Sequence, residues 1–233
     1  MSWRVLPLFV LGLLVGCDCG GTTPGTDAGF DREVVAPPAA RKPLFDPDAA
    51  GSQPIDRPLS ALVLAWTVVP ADEAAGRAQV DVLRASRAAL TAAGEAGADR
   101  VAEVCGAVAV AERERTLACL RLLGMTESAR SLVLLEARAR TALPAVSGGA
   151  EPPQLATPAA LARQGATYAL GQRARGGSRP ALDVLLGLVR DPTYTDHGLA
   201  VAAVFAALPR WRAKAELRSA LTESERWRLY QGR

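Results

Sequence analysis

Few side chains in this sequence could support catalysis or bind a metal. His197 is the only histidine, so no site with two histidine ligands can form and any Ser-His-Asp arrangement would depend on this residue. It lies in the segment Thr-Asp-His-Gly at a predicted helix start, where a loop or capping role is the usual one. The Gly-Gly pairs at residues 148–149 and 176–177 do not stand in a P-loop or a dinucleotide fingerprint. We therefore predict no catalytic residue, no metal site and no cofactor.

The first residues of the chain carry a pattern that predicts the cellular location of the protein. Residues 1–4 bear a positive charge, an apolar run covers residues 5–15, and Leu14-Val15-Gly16-Cys17 completes the segment. This pattern resembles the lipobox of bacterial lipoprotein precursors. The resemblance implies that residues 1–16 are a signal peptide, that Cys17 is acylated, with palmitate among the expected chains, and that the lipid holds the protein in the cell membrane or the outer membrane, facing the periplasm or the cell exterior.

Two other interpretations of this segment stay open. A transmembrane helix needs about 20 apolar residues, whereas residues 5–16 offer twelve, interrupted by Pro7. An ordinary secretory signal with a chance cysteine is the second alternative. Acyl chains anchor without a spanning helix, because each buried CH₂ contributes about 0.8 kcal/mol. Asp18 resembles the inner-membrane retention signal of enteric bacteria, but other groups sort differently, so the choice of membrane stays open.

Cys105 and Cys119 are the candidates for a disulfide, because the predicted compartment is oxidising and helical spacing places both on inward faces. If the chain turns at Glu112, the two cysteines stand level on antiparallel helices. If residues 98–123 form one helix, the two are about 21 Å apart along its axis and cannot bond. Two buried free thiols are the remaining alternative, and no Cys-x-x-Cys motif supports a redox role. Cys19 has no predicted partner.

The elements that position these residues are predicted to be helices throughout. Aromatic residues make up 5% of the chain, alanine is abundant, and no stretch alternates apolar and polar side chains as a strand would. We predict an all-α fold of antiparallel helical hairpins over residues 58–233, either a short HEAT-like α-solenoid or a helical bundle. Residues 58–143 form hairpins, 144–157 form a loop, and 158–233 form the second set of helices.

Start and stop signals divide the domain into helices. Gly94 and Gly97 are predicted to lie beyond the end of the helix that begins after Asp72. The predicted starts share an N-cap side chain, a proline in the first turn or a capping box; they are Asp72, Thr126, Thr157 with Pro158, and Thr222 with Glu225.

Residues 17–57 are predicted to be a lipidated, disordered tether. They are rich in proline, glycine and threonine and hold few large apolar groups, so burial cannot offset the entropy of ordering them. A flexible chain of this length has an end-to-end distance on the order of 35 Å. The domain can therefore stand clear of the lipid headgroups.

A second resemblance covers residues 157–209. A helix of the form Ala-Leu-x-x-Leu-Leu, an Asp-Pro turn and an alanine-rich helix ending Ala-Ala-Leu lie within residues 179–208. This resembles a HEAT-type repeat unit and implies a short right-handed solenoid of stacked helix pairs. The basic residue that usually opens the second helix of such a unit is replaced near Asp196-His197, and residues 59–143 show no register that aligns with it. A generic bundle fits the same spacing.

The distribution of basic and acidic side chains along the sequence indicates which classes of molecule the protein could bind. Residues 151–233 hold 12 basic and 7 acidic side chains, and such a basic part could meet anionic phospholipid or cell-wall polymer. A solvated helical surface is the ordinary alternative. Nucleic acid is disfavoured, because the arginines are not interleaved with an aromatic platform and the predicted compartment lacks it.

These observations predict a membrane-anchored cell-envelope lipoprotein that acts as a helical protein-interaction module. Its expected partners are the membrane, through the lipid on Cys17, and an unidentified protein, with no small-molecule substrate evident. One alternative is an envelope enzyme or enzyme accessory, with a pocket that gathers His197, Tyr194 and Asp196. The other is a wall-associated structural lipoprotein that uses the basic C-terminal part.

Overall fold

The computed structural model describes residues 43–143 and 157–226. The predicted signal peptide, Cys17, Cys19 and most of the predicted loop lie outside the described residues. Every regular element within them is helical, which confirms the all-α prediction. The helices are α1 (Asp56–Thr67), α2 (Glu73–Gly106), α3 (Arg113–Met125), α4 (Ala129–Ala139), α5 (Pro158–Arg175), α6 (Arg179–Arg190), α7 (His197–Ala207) and α8 (Arg210–Ala220), and residues 223–226 form the last described helical turn.

Side-chain caps begin two of the longest helices where the sequence predicted them. The Asp72 carboxylate accepts a hydrogen bond from the amide of Ala75 at 2.7 Å, at the start of α2. The Thr157 hydroxyl accepts one from the amide of Ala160 at 3.1 Å, and Pro158 occupies the first turn of α5. Each cap satisfies a backbone donor that the first turn of a helix leaves unpaired.

Of the two other predicted caps, one is confirmed and one is wrong. Thr222 and Glu225 form the predicted capping box, in which the amide of Thr222 donates to the Glu225 carboxylate at 2.7 Å. The prediction that Thr126 caps α4 is wrong, because Thr126 lies at the end of α3. Ser128 caps α4 instead, accepting a hydrogen bond from the amide of Ser131 at 3.1 Å.

A kink at Gly94 divides α2 into two parts. Its φ of 55° and ψ of −133° lie outside the helical range, and a positive φ is a conformation that glycine adopts without the steric cost of a Cβ. The predicted end of this helix before Gly94 is thus a break within α2, which continues to Gly106. The prediction that Gly97 lies beyond a helix end is wrong, because the helix resumes after the break and buries Gly97 within it.

The packed part of the chain begins earlier than the predicted boundary at residue 58. Phe45 is only 1% exposed and belongs to the hydrophobic core, so the predicted tether does not extend to residue 57. The fully buried Asp56 accepts hydrogen bonds from Arg100 at 3.0 and 2.8 Å and from the amide of Gln53 at 2.9 Å. Burial raises the pKa of this carboxyl, but these hydrogen bonds outweigh burial and bring the pKa below its usual value.

Helix α5 lies at the centre of the domain. It packs against α3, α4, α6 and α7, and its buried residues cover most of its circumference. Most of these buried residues are small, which lets the surrounding helices approach closely. The sequence indicated an alanine-rich helix here but not its central position.

Glycine contacts show how closely α3 approaches α5. A Cβ on Gly124 would lie 3.1 Å from the Cβ of Ala169, and a Cβ on Gly165 would lie 2.7 Å from a methyl carbon of Leu120. Both distances are shorter than ordinary van der Waals contacts. Leu120 precedes Gly124 in α3, and its partner Gly165 precedes Ala169 in α5. The two helices therefore run in the same direction.

Helix α7 approaches the other side of α5 in a similar way. A Cβ on Gly171 would lie 3.3 Å from the Cβ of Ala203. Thus α3, α5 and α7 lie side by side, and α4 and α6 also pack against α5. In a stack of helical hairpins, every second helix of the chain packs against the next in the same layer, and the packing of α3, α5 and α7 is compatible with that arrangement. The resemblance to HEAT-type units stays a prediction.

Candidate functional site

Cys105 and Cys119 form a disulfide between α2 and α3, with their Cα atoms 5.3 Å apart. Both residues are buried in the core. The pairing follows because α2 ends at Gly106 and the chain turns before α3 begins at Arg113. The structure therefore confirms the turning chain and excludes the single continuous helix.

The side chain of Glu112 closes this turn without glycine or proline at its tip. Its carboxylate accepts a hydrogen bond from the amide of Ala109 at 3.2 Å and from Arg115 at 2.7 Å. The hydrogen bond from Arg115, followed by that from Ala109, lowers the pKa of the carboxyl. The hydroxyl of Thr116 donates to the carbonyl of Ala109 at 3.2 Å and ties α3 to the same turn.

A polar groove of about 460 Å³ lies where the end of α4, the first half of α5 and the α6–α7 turn meet. Most of the residues that line it carry a hydroxyl or a guanidinium group. The lining residues are Arg140, Thr141, Ala142, Leu143, Arg163, Asp191, Thr193, Tyr194 and Thr195.

Arg163 organises this groove from α5. Its Nε lies 3.1 Å from the Asp196 carboxylate, and its Nη2 donates to the Thr195 hydroxyl at 3.2 Å. Its guanidinium also stands over the ring of Tyr194, 4.7 Å from the centroid. The buried hydroxyls of Tyr194 and Thr167 are 3.1 Å apart and hydrogen-bonded. These contacts fasten the α6–α7 turn to α5.

His197 stands beside this cluster and does not line the groove. Its Nε2 is 2.8 Å from the carbonyl oxygen of Asp191, and its ring meets the edge of the Tyr194 ring with centroids 6.0 Å apart. Hydrogen bonds from the side chain and amide of Thr193, together with Arg140, lower the pKa of Asp191 to about 2. Each of these side chains is held by partners within or beside the α6–α7 turn, so the contacts stabilise the conformation of the turn.

Of the three polar residues predicted for the enzyme alternative, only Tyr194 lines the groove. Tyr194 lines the groove and is buried, and Asp196 pairs with Arg163 beside it. His197 and Asp196 are not among the residues that line the groove. Among the described residues, no group of three or more histidine, cysteine or acidic side chains could hold a metal ion.

A different surface stands out on α5. The helix exposes one narrow stripe, whose members lie three or four residues apart, and Tyr168 in its middle is 65% exposed. On either side of the stripe, α3 and α7 make the close contacts described above. We call this stripe the α5 stripe; its residues are Leu161, Gln164, Tyr168, Gln172 and Arg175.

Sequence reasoning missed the α5 stripe and the role of Arg163. The signal for the stripe was present, because Gln164, Tyr168 and Gln172 repeat every four residues within a helix whose other residues are mostly small or apolar. No comparable signal pointed to Arg163, whose partners lie about thirty residues further along the chain.

No protein-family model, curated protein or solved structure matches this chain. Among the described residues, no helix is both long enough and apolar enough to cross a bilayer. Geometry, together with the sequence pattern, is therefore the basis on which function can be argued.

Proposed function

We propose that this chain is a lipid-anchored protein of the bacterial cell envelope, in which the helical domain binds another protein. Support for the location comes from the lipobox-like segment ending at Cys17 and from the Cys105–Cys119 disulfide. Structural disulfides persist in oxidising compartments such as the periplasm and the cell surface. Support for the activity comes from the α5 stripe.

The exposure of Tyr168 is the observation that carries the binding proposal. A tyrosine brings a large apolar ring with little conformational entropy to lose, and its hydroxyl can hydrogen-bond, which explains why tyrosine is enriched at binding hot spots. Tyr168 stands between two glutamines, whose amides can donate to and accept from a peptide backbone. An exposed aromatic ring on the most buried helix has a rigid support.

Packing also favours a concave shape for the surface that carries the α5 stripe. Helix α5 makes extensive contacts with α3 and α7. On the other side of α5, helices α4 and α6 contact each other only slightly. Closer spacing on one side bends a stack of helices toward that side. The stripe would then lie at the bottom of a shallow curve that fits an extended or helical segment of a partner.

Site-specific photo-crosslinking in intact cells tests the binding surface. A photoreactive amino acid placed at Tyr168, or at the half-exposed Leu117 on α3, should give an adduct of the same mass with one envelope protein. The control position is Val133 on α4, which is 68% exposed and belongs to a different helix. Equal adducts from all three positions, or none from Tyr168, would reject this surface as the binding site.

Fractionation and intact mass test the anchor separately. The wild-type chain should have an acylated Cys17 and lack residues 1–16, and Cys17→Ser should leave the membrane fraction. A retained leader with unchanged localisation would overturn the proposed location but not the crosslinking result. The enzyme-accessory and wall-associated alternatives stay predictions.

A further inference from the structure

Helix α8 is the most exposed helix in the second half of the domain. It packs against α7 and slightly against α6, and Ala213 is its only buried residue. The face around Ala213 is completed by the partly buried Glu216, Leu217 and Ala220. The rest of its circumference is exposed to solvent.

Three basic side chains follow one another along that exposed face. Arg210, Lys214 and Arg218 are spaced four residues apart, so on an α-helix they fall within an arc of about 80°. None of the three forms an ion pair with a described acidic residue. The acidic residue of the same helix, Glu216, points to the side and pairs with Arg179 at 2.8 Å. The three positive charges are therefore available to a partner.

An exposed tryptophan borders the same arc. Trp211 is 74% exposed, and its position on the helix is about 20° beyond that of Arg218. The indole ring prefers the boundary between water and lipid headgroups, where its apolar body and its N–H are both accommodated. We call Arg210, Trp211, Lys214 and Arg218 the basic stripe of α8.

We propose that the basic stripe of α8 docks on the surface of an anionic phospholipid bilayer. Charge complementarity carries the choice of partner, because basic side chains beside a tryptophan on a surface helix match a negatively charged headgroup layer. The choice of a bilayer over another polyanion rests on the proposed lipid anchor. A tether raises the effective concentration of a second contact, so even weak docking would be occupied in the anchored protein.

Docking would also set the orientation of the domain. The α5 stripe lies on a different helix from α8, and the two helices are separated by α6 and α7 in the chain. A second point of attachment would hold the domain in one orientation on the bilayer, rather than leave it free to rotate at the end of its tether. The binding surface around Tyr168 would then face a partner in a fixed direction.

Vesicle cosedimentation tests the proposal on the full chain carrying Cys17→Ser, so that acylation cannot anchor it. Vesicles of phosphatidylcholine alone are compared with vesicles that contain phosphatidylglycerol as well. The leader segment contributes equally in every variant, so the difference between the two lipids isolates the electrostatic contribution. Raised salt should weaken the binding that depends on phosphatidylglycerol.

The matched variants each remove three positive charges. Arg210→Gln/Lys214→Gln/Arg218→Gln should weaken binding to the anionic vesicles about a hundredfold, because each basic side chain near an anionic surface contributes about fivefold. The control replaces three exposed arginines on α2, α3 and α4 with glutamine, at Arg87, Arg113 and Arg130, and should weaken it much less. Circular dichroism verifies that both variants keep their helices.

A further variant separates a bilayer from other polyanions. Trp211→Ala should weaken vesicle binding severalfold and leave binding to soluble polyphosphate unchanged. Equal losses from the α8 variant and the control would overturn the proposal, and so would unchanged vesicle binding by Trp211→Ala. The state of Cys17 in the wild-type protein is read separately by intact mass, so failure of the anchor and failure of this docking are distinguishable.

Discussion

The close contact between α3 and α5 gives a prediction in which one chemical change has opposite effects at two positions. Gly124→Ala adds a methyl group at the contact with Ala169, where it would lie 3.1 Å from the Cβ and 3.3 Å from the Cα. The Cα belongs to the backbone of a buried helix, so α3 must move away by several tenths of an ångström. Gly187→Ala adds the same group on α6, where no atom lies within 4 Å.

The expected magnitudes follow from packing and helix propensity. Overpacking a well-packed core costs about 1–3 kcal/mol, and replacing glycine by alanine inside a helix gains about 0.5–1 kcal/mol. Gly124→Ala should therefore lower the free energy of unfolding by about 1–2 kcal/mol. Gly187→Ala has no contact to disturb and should raise it by about 0.5–1 kcal/mol.

Urea unfolding followed by far-UV circular dichroism measures both variants beside the wild type. The midpoint should fall for Gly124→Ala and rise for Gly187→Ala, with similar m-values, because neither change alters the surface exposed on unfolding. In a thermal scan, each kcal/mol corresponds to about 2–4 °C for a chain of this size. If Gly124→Ala proved as stable as Gly187→Ala, α3 and α5 would not approach as closely as the contact with Ala169 requires.

Three further predictions test other contacts. Cys105→Ala/Cys119→Ala should lower the free energy of unfolding by about 3 kcal/mol, because the disulfide closes a short loop in the unfolded chain; thiol labelling of the unreduced, unfolded wild type should find both cysteines blocked, and free thiols there would contradict the pairing. The pKa of Asp56 is lowered in the folded state, so its ionised carboxylate stabilises the fold fully above the unfolded pKa of about 3.9 and progressively less as the pH falls through the folded pKa. In urea titrations at a series of pH values, the stability of the wild type should therefore fall more steeply than that of Asp56→Asn between about pH 5 and pH 2. Parallel profiles of the two proteins would argue against the pairing of Asp56 with Arg100. Arg163→Ala should cost about 2–3 kcal/mol by the same urea assay, since it leaves Asp196 without its partner and removes packing against Tyr194, whereas the exposed Arg130→Ala should stay within about 0.5 kcal/mol of the wild type.

Much of the helical organisation could be predicted because its signals are local. Asp72 and Thr157 cap helices with their own side chains, and Pro158 fits only the first turn. Glycine at position 94 permits the backbone conformation that interrupts α2. Such signals act over four or five residues, so they can be seen in the sequence without knowledge of the neighbours in space.

The errors arose where distant residues decided the outcome. Phe45 lies among proline and aspartate residues typical of a tether, but a site in the core accepts its ring. Asp56 was included in the predicted tether, whereas it is buried at the start of α1 and accepts hydrogen bonds from Arg100, forty-four residues away. Gly97 was predicted to lie beyond a helix end, although α2 continues through it with that residue buried. Local preferences are worth about 1 kcal/mol, and tertiary packing readily outweighs them.

For the candidate sites, sequence and structure determined different things. The sequence by itself determined that the chain is helical, that one histidine excludes paired-histidine metal sites, and that Cys105 and Cys119 could meet if the chain turned between them. Only the tertiary structure decided that the turn forms, since Glu112 closes it through side-chain hydrogen bonds, and Gly106 at the end of α2 was a local stop signal that did not by itself establish the turn. Only packing could decide that α5 is central and leaves Tyr168 exposed, because exposure depends on which faces the neighbouring helices cover, and those neighbours are distant in sequence.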